Sequence, residues 1–466
     1  MVSQSQTSER STGSDNRKRS PYMWAAQIFE RWTPGATVFA VLLTIIVLIA
    51  ALIFTDATFV SAVQSWGDGL SGLHAFITQI ALALFLGHML AHTRPVHAAL
   101  EKIFEIPNTA AQAYVLVFLA SVALTMFQWA LGLVAGAILA KGIATSAARR
   151  GLRVDFPLLI AAAYSAFVVA GMAYNGTIPL TSASSGSFVE EFLGRTIPLT
   201  ETAYVPYNLI ALALFVILVP VAFHLVRPRN EAEIEVLDLS KADESAALFE
   251  PETPNTPASW LESKPYINIA LGVLLVTYLI IHFVTNGFDL SLDIVNWAML
   301  AGIMLFTRSI SELVWLVKNA TGAVGDVLLQ FPLYAGILGI ATGTGLINVL
   351  SDAFISISSP ETLPLLGFLS AAIVNMAVPS AGGQFAVQGP IMLQASENLG
   401  VDPGLMVMSI SYGDSLTNMI QPFFALPLLA IAGLGVRNIF KYTFVTFIVG
   451  LVIFLGVLTL WSFFPL

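Results

Sequence analysis

The sequence predicts an all-α polytopic membrane protein. It should consist of two inverted structural repeats, each with a re-entrant hairpin and a discontinuous helix, giving about nine spanning segments plus two hairpins. Three observations carry this expectation. The 466-residue chain is 56% hydrophobic and only 11% charged, against roughly 25% charged in an average soluble protein. Its apolar runs reach spanning length and alternate with loops whose Lys and Arg fall mostly on one side. Two further apolar stretches are broken by Gly, Pro and amide residues and recur at a nearly constant offset. A soluble globule needs a polar skin that this composition does not supply. That excludes a cytosolic enzyme, a nucleic-acid binder and a secreted disulfide scaffold. The chain has no Cys, so disulfides and thiolate metal sites are excluded as well.

In chain order, residues 1–30 read as a disordered cytoplasmic tail and interfacial segment. Met1 to Ser20 is polar and carries Arg17, Lys18 and Arg19, and the apolar run beyond is too long for a signal peptide. Residues 31–226 form the first repeat, with spans near 36–55, 70–91, 155–178 and 204–226. Residues 227–264 form an acidic cytoplasmic linker, which reads as solvated. Residues 265–289 form a connecting helix that inverts the second repeat. Residues 290–466 form that second repeat, with spans near 290–306, 326–350, 404–434 and 442–463. The stretches 56–69, 92–109 and 307–325 read as loops. Basic loops stay in the cytoplasm. With the amino terminus inside, Arg195 is the one residue out of pattern.

The stretch 110–140 is flanked by basic loops on both sides, with Arg94 and Lys102 before it and Lys141, Arg149, Arg150 and Arg153 after. Its 31 residues would extend about 46 Å as helix, whereas two crossings need about 60 Å. It therefore reads as a re-entrant hairpin with its tip near Gln128–Gly136. The stretch 363–396 carries Asn375, Pro379, Ser380, Gly382, Gly383, Gln384, Gln388 and Pro390. It reads as a second hairpin, entering from the other face. The two stretches superpose. Gln128 falls on Asn375 (375 − 128 = 247) and Tyr164 on Tyr412 (412 − 164 = 248). Asp155 and Asp402 fall together as helix N-caps. Inverted repeats with broken helices at the midplane are the signature of a secondary transporter.

Two further irregular helices complete the pattern, Ala170–Pro179 and Asp414–Pro422. Half-helix N-termini favour an anion, and freed carbonyls and Asn side chains suit a small cation. The candidate substrate-binding residues are Gln128, Trp129, Gly132, Tyr174, Asn175, Thr177, Asn375, Ser380, Gly382, Gly383, Gln384, Gln388, Asn418 and Gln421. None is basic, which suits a small monoanion with an apolar tail better than a dicarboxylate. The bland alternative is that these residues only glue helices together. Asp414 is an acid far from any loop, and intramembrane acids are expensive. It is the candidate for ion coupling, with Asn375 and Asn418 beside it. His88 reads as structural or as a proton relay. No catalytic residue, metal site or cofactor is expected beyond a coupling H⁺ or Na⁺. G-x-S-x-G, H-E-x-x-H and phosphate-loop motifs do not occur.

The runs Asn375 to Pro390 (NMAVPSAGGQFAVQGP) and Tyr412 to Val436 (YGDSLTNMIQPFFALPLLAIAGLGV) closely resemble the short-chain fatty acid transporter family. So do Gln64 to Leu70, Gly87-His88, Phe127 to Ala137 and Phe156 to Tyr164. The resemblance extends from about Arg31 to the carboxyl end and places the chain in a wider inverted-repeat, ion-transporter-like group. It implies an inner-membrane permease for butyrate, acetoacetate or similar monocarboxylates, driven by H⁺ or Na⁺ symport with an elevator-like motion. The implied partners are a short-chain carboxylate and the lipid bilayer, with no nucleic acid; a homodimer is compatible. Rival readings are a cation/proton antiporter on the same architecture, an intramembrane enzyme and a passive channel.

Overall fold

A computed structural model describes residues 36–239, 249, 253–421 and 423–463. The expected tail and interfacial segment at 1–30 lie outside the described residues, as do most of 240–252 and Pro422. The described chain is helical, with no strand among the described residues. The first half comprises α1 (Ala36–Phe54), α2 (Phe59–Gly69), α3 (His74–Ala91), α4 (Arg94–Phe104), α5 (Ala110–Phe127) and α6 (Trp129–Arg149). It continues with α7 (Phe156–Ser165), α8 (Thr177–Ala183), α9 (Phe188–Leu193) and α10 (Pro206–Val226). Then come α11 (Pro257–Glu262) and α12 (Tyr266–Asn286). The second half comprises α13 (Leu292–Phe306), α14 (Ile310–Ala320), α15 (Gly325–Gly343), α16 (Leu346–Ile357), α17 (Leu363–Ala377), α18 (Ala381–Leu399), α19 (Pro403–Thr417), α20 (Ala425–Ala432) and α21 (Val436–Phe463).

Six of these helices, α3, α5, α6, α10, α12 and α21, are long and apolar enough to cross a membrane. Four shorter apolar helices fall in α1, α7, α13 and α17. The chain is thus a membrane protein with many apolar helices. Several sequence expectations change in detail. The run 326–350 is not one straight span. The turn after α15 puts Gly345 at φ +75°, a region that favours Gly, and α16 leaves at 79°. The stretches read as loops contain α2, α4 and α14, each of 11 residues. They are amphipathic and too short to span, so a search for apolar runs passes over them.

The hairpins form by side-chain fit between their arms. In the first, the break is at Gln128 alone, with φ −162° and ψ 128°; Gly132 and Gly136 lie inside α6 rather than in a wide tip. A Cβ on Gly132 would strike Thr125, and one on Gly136 would lie 2.9 Å from Ser121 Oγ. The lack of side chains is what lets the arms close. The arms have 18 and 21 residues, longer than the apolar stretch read from sequence, because α6 continues through Lys141 to Arg149. In the second hairpin Gln384 Nε2 donates to Ala371 O at 3.0 Å and Gln388 Nε2 to Ser370 Oγ at 2.8 Å.

The order of helices in the first half recurs in the second, and the packing is reciprocal. Helix α1 packs on α15 while α13 packs on α3. Helix α3 packs on α6 while α15 packs on α18, and α4 on α6 while α16 on α18. Helix α5 packs on α7 as α17 does on α19, and α10 packs on α21. Two buried tyrosines lock the halves together. Tyr164 Oη donates to Asn418 O at 2.7 Å, and Tyr412 Oη to Asn208 Oδ1 at 2.9 Å. Tyr412 also stacks on Phe454 at 4.4 Å. Asp155 and Asp402 cap α7 and α19, accepting from Leu158 N at 2.9 Å and Gly404 N at 2.8 Å. The linker is less free than its composition suggests: Glu235 O accepts from Phe156 N at 2.8 Å, and Glu235 N donates to Asp155 Oδ2 at 3.2 Å.

Candidate functional site

Two discontinuous helices and two hairpin tips meet at one cavity. After α7 the chain tightens into a 3₁₀ turn at Ala166–Gly171 and resumes as α8 at Thr177. Gly176 and Pro179 stand at that restart, where a continuous helix would need a donor that Pro lacks. Helix α19 ends at Thr417 and α20 begins at Ala425, with residues 418–421 and 423–424 in turns and a bend. The carbonyls freed by these breaks are largely taken up by side chains. Met172 O accepts from Asn208 Nδ2 at 2.9 Å and Gly171 O from Ser411 Oγ at 2.7 Å. Asp414 O accepts from Asn375 Nδ2 at 2.8 Å.

The tips are capped by their own side chains. Gln128 Oε1 accepts from Leu131 N at 2.7 Å, while its Nε2 donates to Ala83 O at 3.2 Å, tying the first tip to α3. Asn175 Nδ2 donates to Met126 O at 2.9 Å, and Tyr174 Oη to Phe127 O at 3.2 Å. Ser380 Oγ accepts from Gly383 N at 3.4 Å at the start of α18.

The cavity has a volume of about 310 Å³, at the small end of ligand pockets. Its polar wall comes from α19, where Ser411, Asp414, Ser415 and Asn418 follow at i, i+3, i+4 and i+7 and so share one helical face. The second tip adds Pro379, Ser380 and Gly382, and α8 adds Thr177. An aromatic cluster also lines it. Phe167 and Phe424 have ring centroids 5.0 Å apart, and Trp129 lies 6.2 Å from Phe167. Ile80, Leu84 and His88, at i, i+4 and i+8, line the cavity from α3, and Gln330 and Phe331 from α15.

Of the residues named from sequence, Trp129, Thr177, Ser380, Gly382, Asp414 and Asn418 line this cavity. Asn375 and Gln421 stand behind it. Asn375 Nδ2 and Gln421 Nε2 each lie 2.9 Å from Asn418 Oδ1 and hold that amide in place. Gln128, Gly132, Tyr174, Asn175, Gly383, Gln384 and Gln388 do not line it; they shape and pin the tips. Ser411, Ser415, Gln330, Phe167 and Phe424 are additions, and His88, read from sequence as structural or as a proton relay, also lines it. Of the α19 stripe, Asp414 and Asn418 were named from sequence but Ser411 and Ser415 were not, because Asp414–Pro422 read as irregular whereas α19 runs unbroken to Thr417. Of the aromatic cluster only Trp129 was named, because its residues come from three separate elements.

Among the described residues no Lys or Arg lines the cavity. Asp414 is 3% exposed, and its Oδ1 has no hydrogen-bond partner among the described residues. A carboxylate so placed is costly as a bare anion, and a proton or a small cation would neutralise it. Among the described residues no group of three His, Asp or Glu could hold a metal ion.

Comparison with known proteins gives concordant matches. The sequence profile of a family described as "Short chain fatty acid transporter" matches residues 22–461. A protein of Escherichia coli K12, named as a candidate short-chain fatty acid transporter, is 36% identical over 92% of this chain and 97% of its own length. A Haemophilus influenzae protein of the same description is 36% identical over 88% of this chain and 93% of its own. In fold, the chain resembles the Alcanivorax borkumensis YdaH transporter, whose crystal structure is described as having an unusual topology. The TM-score is 0.61, at 15% identity, over 92% of this chain and 99% of that one.

Proposed function

The chain belongs to the short chain fatty acid transporter family, and on that premise we propose that it is a secondary active permease. It takes up short-chain monocarboxylates such as butyrate or acetoacetate across the inner membrane, by symport with H⁺ or Na⁺. The observation that carries this reading is the partition of the cavity. Asp414, Ser411 and Ser415 line the same cavity as the aromatic Trp129, Phe167 and Phe424. A small amphiphilic anion has one end for each wall.

The coupling follows from charge. A carboxylate entering a cavity that already holds Asp414 meets a like charge. A proton on Asp414, or a cation bound beside it and Asn418, removes that repulsion and makes the loaded site close to neutral. Substrate binding then depends on the coupling ion, and the ion's gradient is tied to uptake. The hairpins and broken helices, α5–α8 and α17–α20, move as the carrier against a frame of α1–α4 and α12–α16, in an elevator-like step. The amino terminus is cytoplasmic, the two halves are inverted, and a homodimer is compatible with this scheme.

The test is uptake of labelled butyrate into proteoliposomes, with Na⁺ and pH gradients imposed separately. Accumulation above equilibrium under one gradient, collapsed by the matching ionophore, is the expected result. Equilibration without accumulation under either gradient would make the protein a passive pore.

A further inference from the structure

Straight-chain carboxylates of different length share a head and differ only in their CH₂ groups. A carrier that discriminates among them must hold the head and stop the tail. Each CH₂ that leaves water for an apolar wall tightens binding by about fourfold. A tail that meets a fixed wall too soon loses that gain, because a packed interior does not readily make room.

The aromatic cluster has the make-up of such a stop. Trp129, Phe167 and Phe424 all line the cavity, and each ring meets the other two. The centroids lie 6.2 Å apart for Trp129 and Phe167, 6.4 Å for Trp129 and Phe424, and 5.0 Å for Phe167 and Phe424. Tilted and edge-to-face contacts at these separations are favourable, so the rings hold one another in place. Trp129 opens α6 at the first tip, Phe167 belongs to the 3₁₀ turn after α7, and Phe424 immediately precedes α20. Trp129 and Phe167 are buried in the largest core cluster, whereas Phe424 is half-buried in a turn.

The cluster is also tied to the polar side of the cavity. Tyr164 stacks on Phe167, with centroids 6.2 Å apart and ring planes 13° apart. Tyr164 is 1% exposed, and its Oη donates to Asn418 O at 2.7 Å. Asn418 lines the cavity with Asp414, and its amide oxygen is held by Asn375 and Gln421. One buried side chain therefore joins the polar face through its hydroxyl to the aromatic cluster through its ring. Packing within the protein, rather than the substrate, sets the separation of the two.

We propose that Trp129, Phe167 and Phe424 form the chain-length stop of this carrier, and that Tyr164 is the positioning residue that fixes the stop relative to the polar face. This rests on the carboxylate reading above and deepens it, by assigning the residues that decide which carboxylates fit.

The test measures displacement of labelled butyrate from the purified protein by acetate, propionate, hexanoate and octanoate. In wild type, affinity should rise by up to about fourfold per CH₂ as far as the stop and fall beyond it. A rise that continues unbroken to octanoate would overturn the stop without any variant. Phe424→Ala removes a half-buried ring and should raise the ratio of hexanoate to butyrate affinity by about tenfold, the worth of nearly two CH₂ groups. Phe424→Trp enlarges the ring and should lower that ratio. Tyr164→Phe keeps the ring on Phe167 but loses the bond to Asn418, and should narrow the spread of affinities across the series. Ratios between lengths cancel a general loss of binding, which a merely structural role would produce. Ratios equal to wild type in both Phe424 variants would overturn the stop while leaving carboxylate binding in place. An unchanged spread in Tyr164→Phe would overturn the positioning role. A wild type that binds no carboxylate of any length would overturn the carboxylate reading, and the stop with it.

Discussion

Asp414 sits where an acid is hardest to keep. Its Oδ1 is enclosed without a partner, and the side chains one helical turn either way are hydroxyl and amide rather than basic. Replacing it by Asn removes the charge but keeps shape and a polar end. Asp414→Asn is expected to insert normally and to lose concentrative butyrate uptake, by about a hundredfold or more if coupling passes through this carboxylate. Wild-type accumulation in that variant would remove Asp414 from the coupling step. Asn375 is expected to behave differently. Its Nδ2 serves Asp414 O, Thr417 Oγ1 and Asn418 Oδ1, all within 2.9 Å. Asn375→Leu should destabilise the protein by about 1–3 kcal/mol, through polar groups left without a donor. A fall in the thermal unfolding midpoint of the detergent-purified protein reads this out directly.

At the scale of elements, helix breaks and helix ends are where chemistry and folding compete. Ser380 both caps α18 and lines the cavity. Ser380→Leu should cost about 1 kcal/mol of cap stability and weaken carboxylate binding. Ser380→Asn should restore the cap. If uptake kinetics in Ser380→Leu match wild type, the second tip is not part of the site. The breaks themselves were legible in the sequence, because Gly176, Pro179 and Ser380 are residues that end or start helices for known steric or hydrogen-bonding reasons. The register between the halves was legible only in part. Matching Gln128 to Asn375 followed amide identity. In the structure the residue that starts the second arm, as Gln128 does, is Ser380, and 380 − 128 = 252. A tip needs an acceptor for the first free N–H groups, and Gln and Ser supply it with unlike side chains, so residue identity misleads there. The short helices α2, α4 and α14 were missed for a different reason: they are amphipathic and only 11 residues long, so a search for long apolar runs passes over them.

For the whole molecule, the deciding question is whether each hairpin enters and leaves by one face. Length does not answer it. Arms of 18 and 21 residues extend about 27 and 32 Å, close to a ~30 Å hydrocarbon core. Charge does. Lys141 and Arg149 stand inside the carboxyl-terminal part of α6, and Arg150 continues the basic cluster, donating to Glu105 O and Pro107 O at the start of the hairpin. The uncharged part of that arm, Trp129 to Ala140, is about 18 Å long, enough to reach past the middle of the bilayer and no further. Arg150 also ties the two ends of the hairpin together. The natural absence of Cys makes the test clean, because each introduced thiol is the single one present. Asn108→Cys and Arg149→Cys, at the two ends of the first hairpin, should react with a membrane-impermeant maleimide only in inside-out vesicles. Pro360→Cys and Asn398→Cys, at the ends of the second, should react only in right-side-out vesicles. If one hairpin's two ends label together but both hairpins label from the same face, the halves are parallel, and the cavity would lack the opposed tips on which alternating access depends. If the tips between the arms, Gln128 and Ser380, label freely as Cys from the face opposite the hairpin ends, the hairpins cross fully. The carrier would then need a different pathway through the fold.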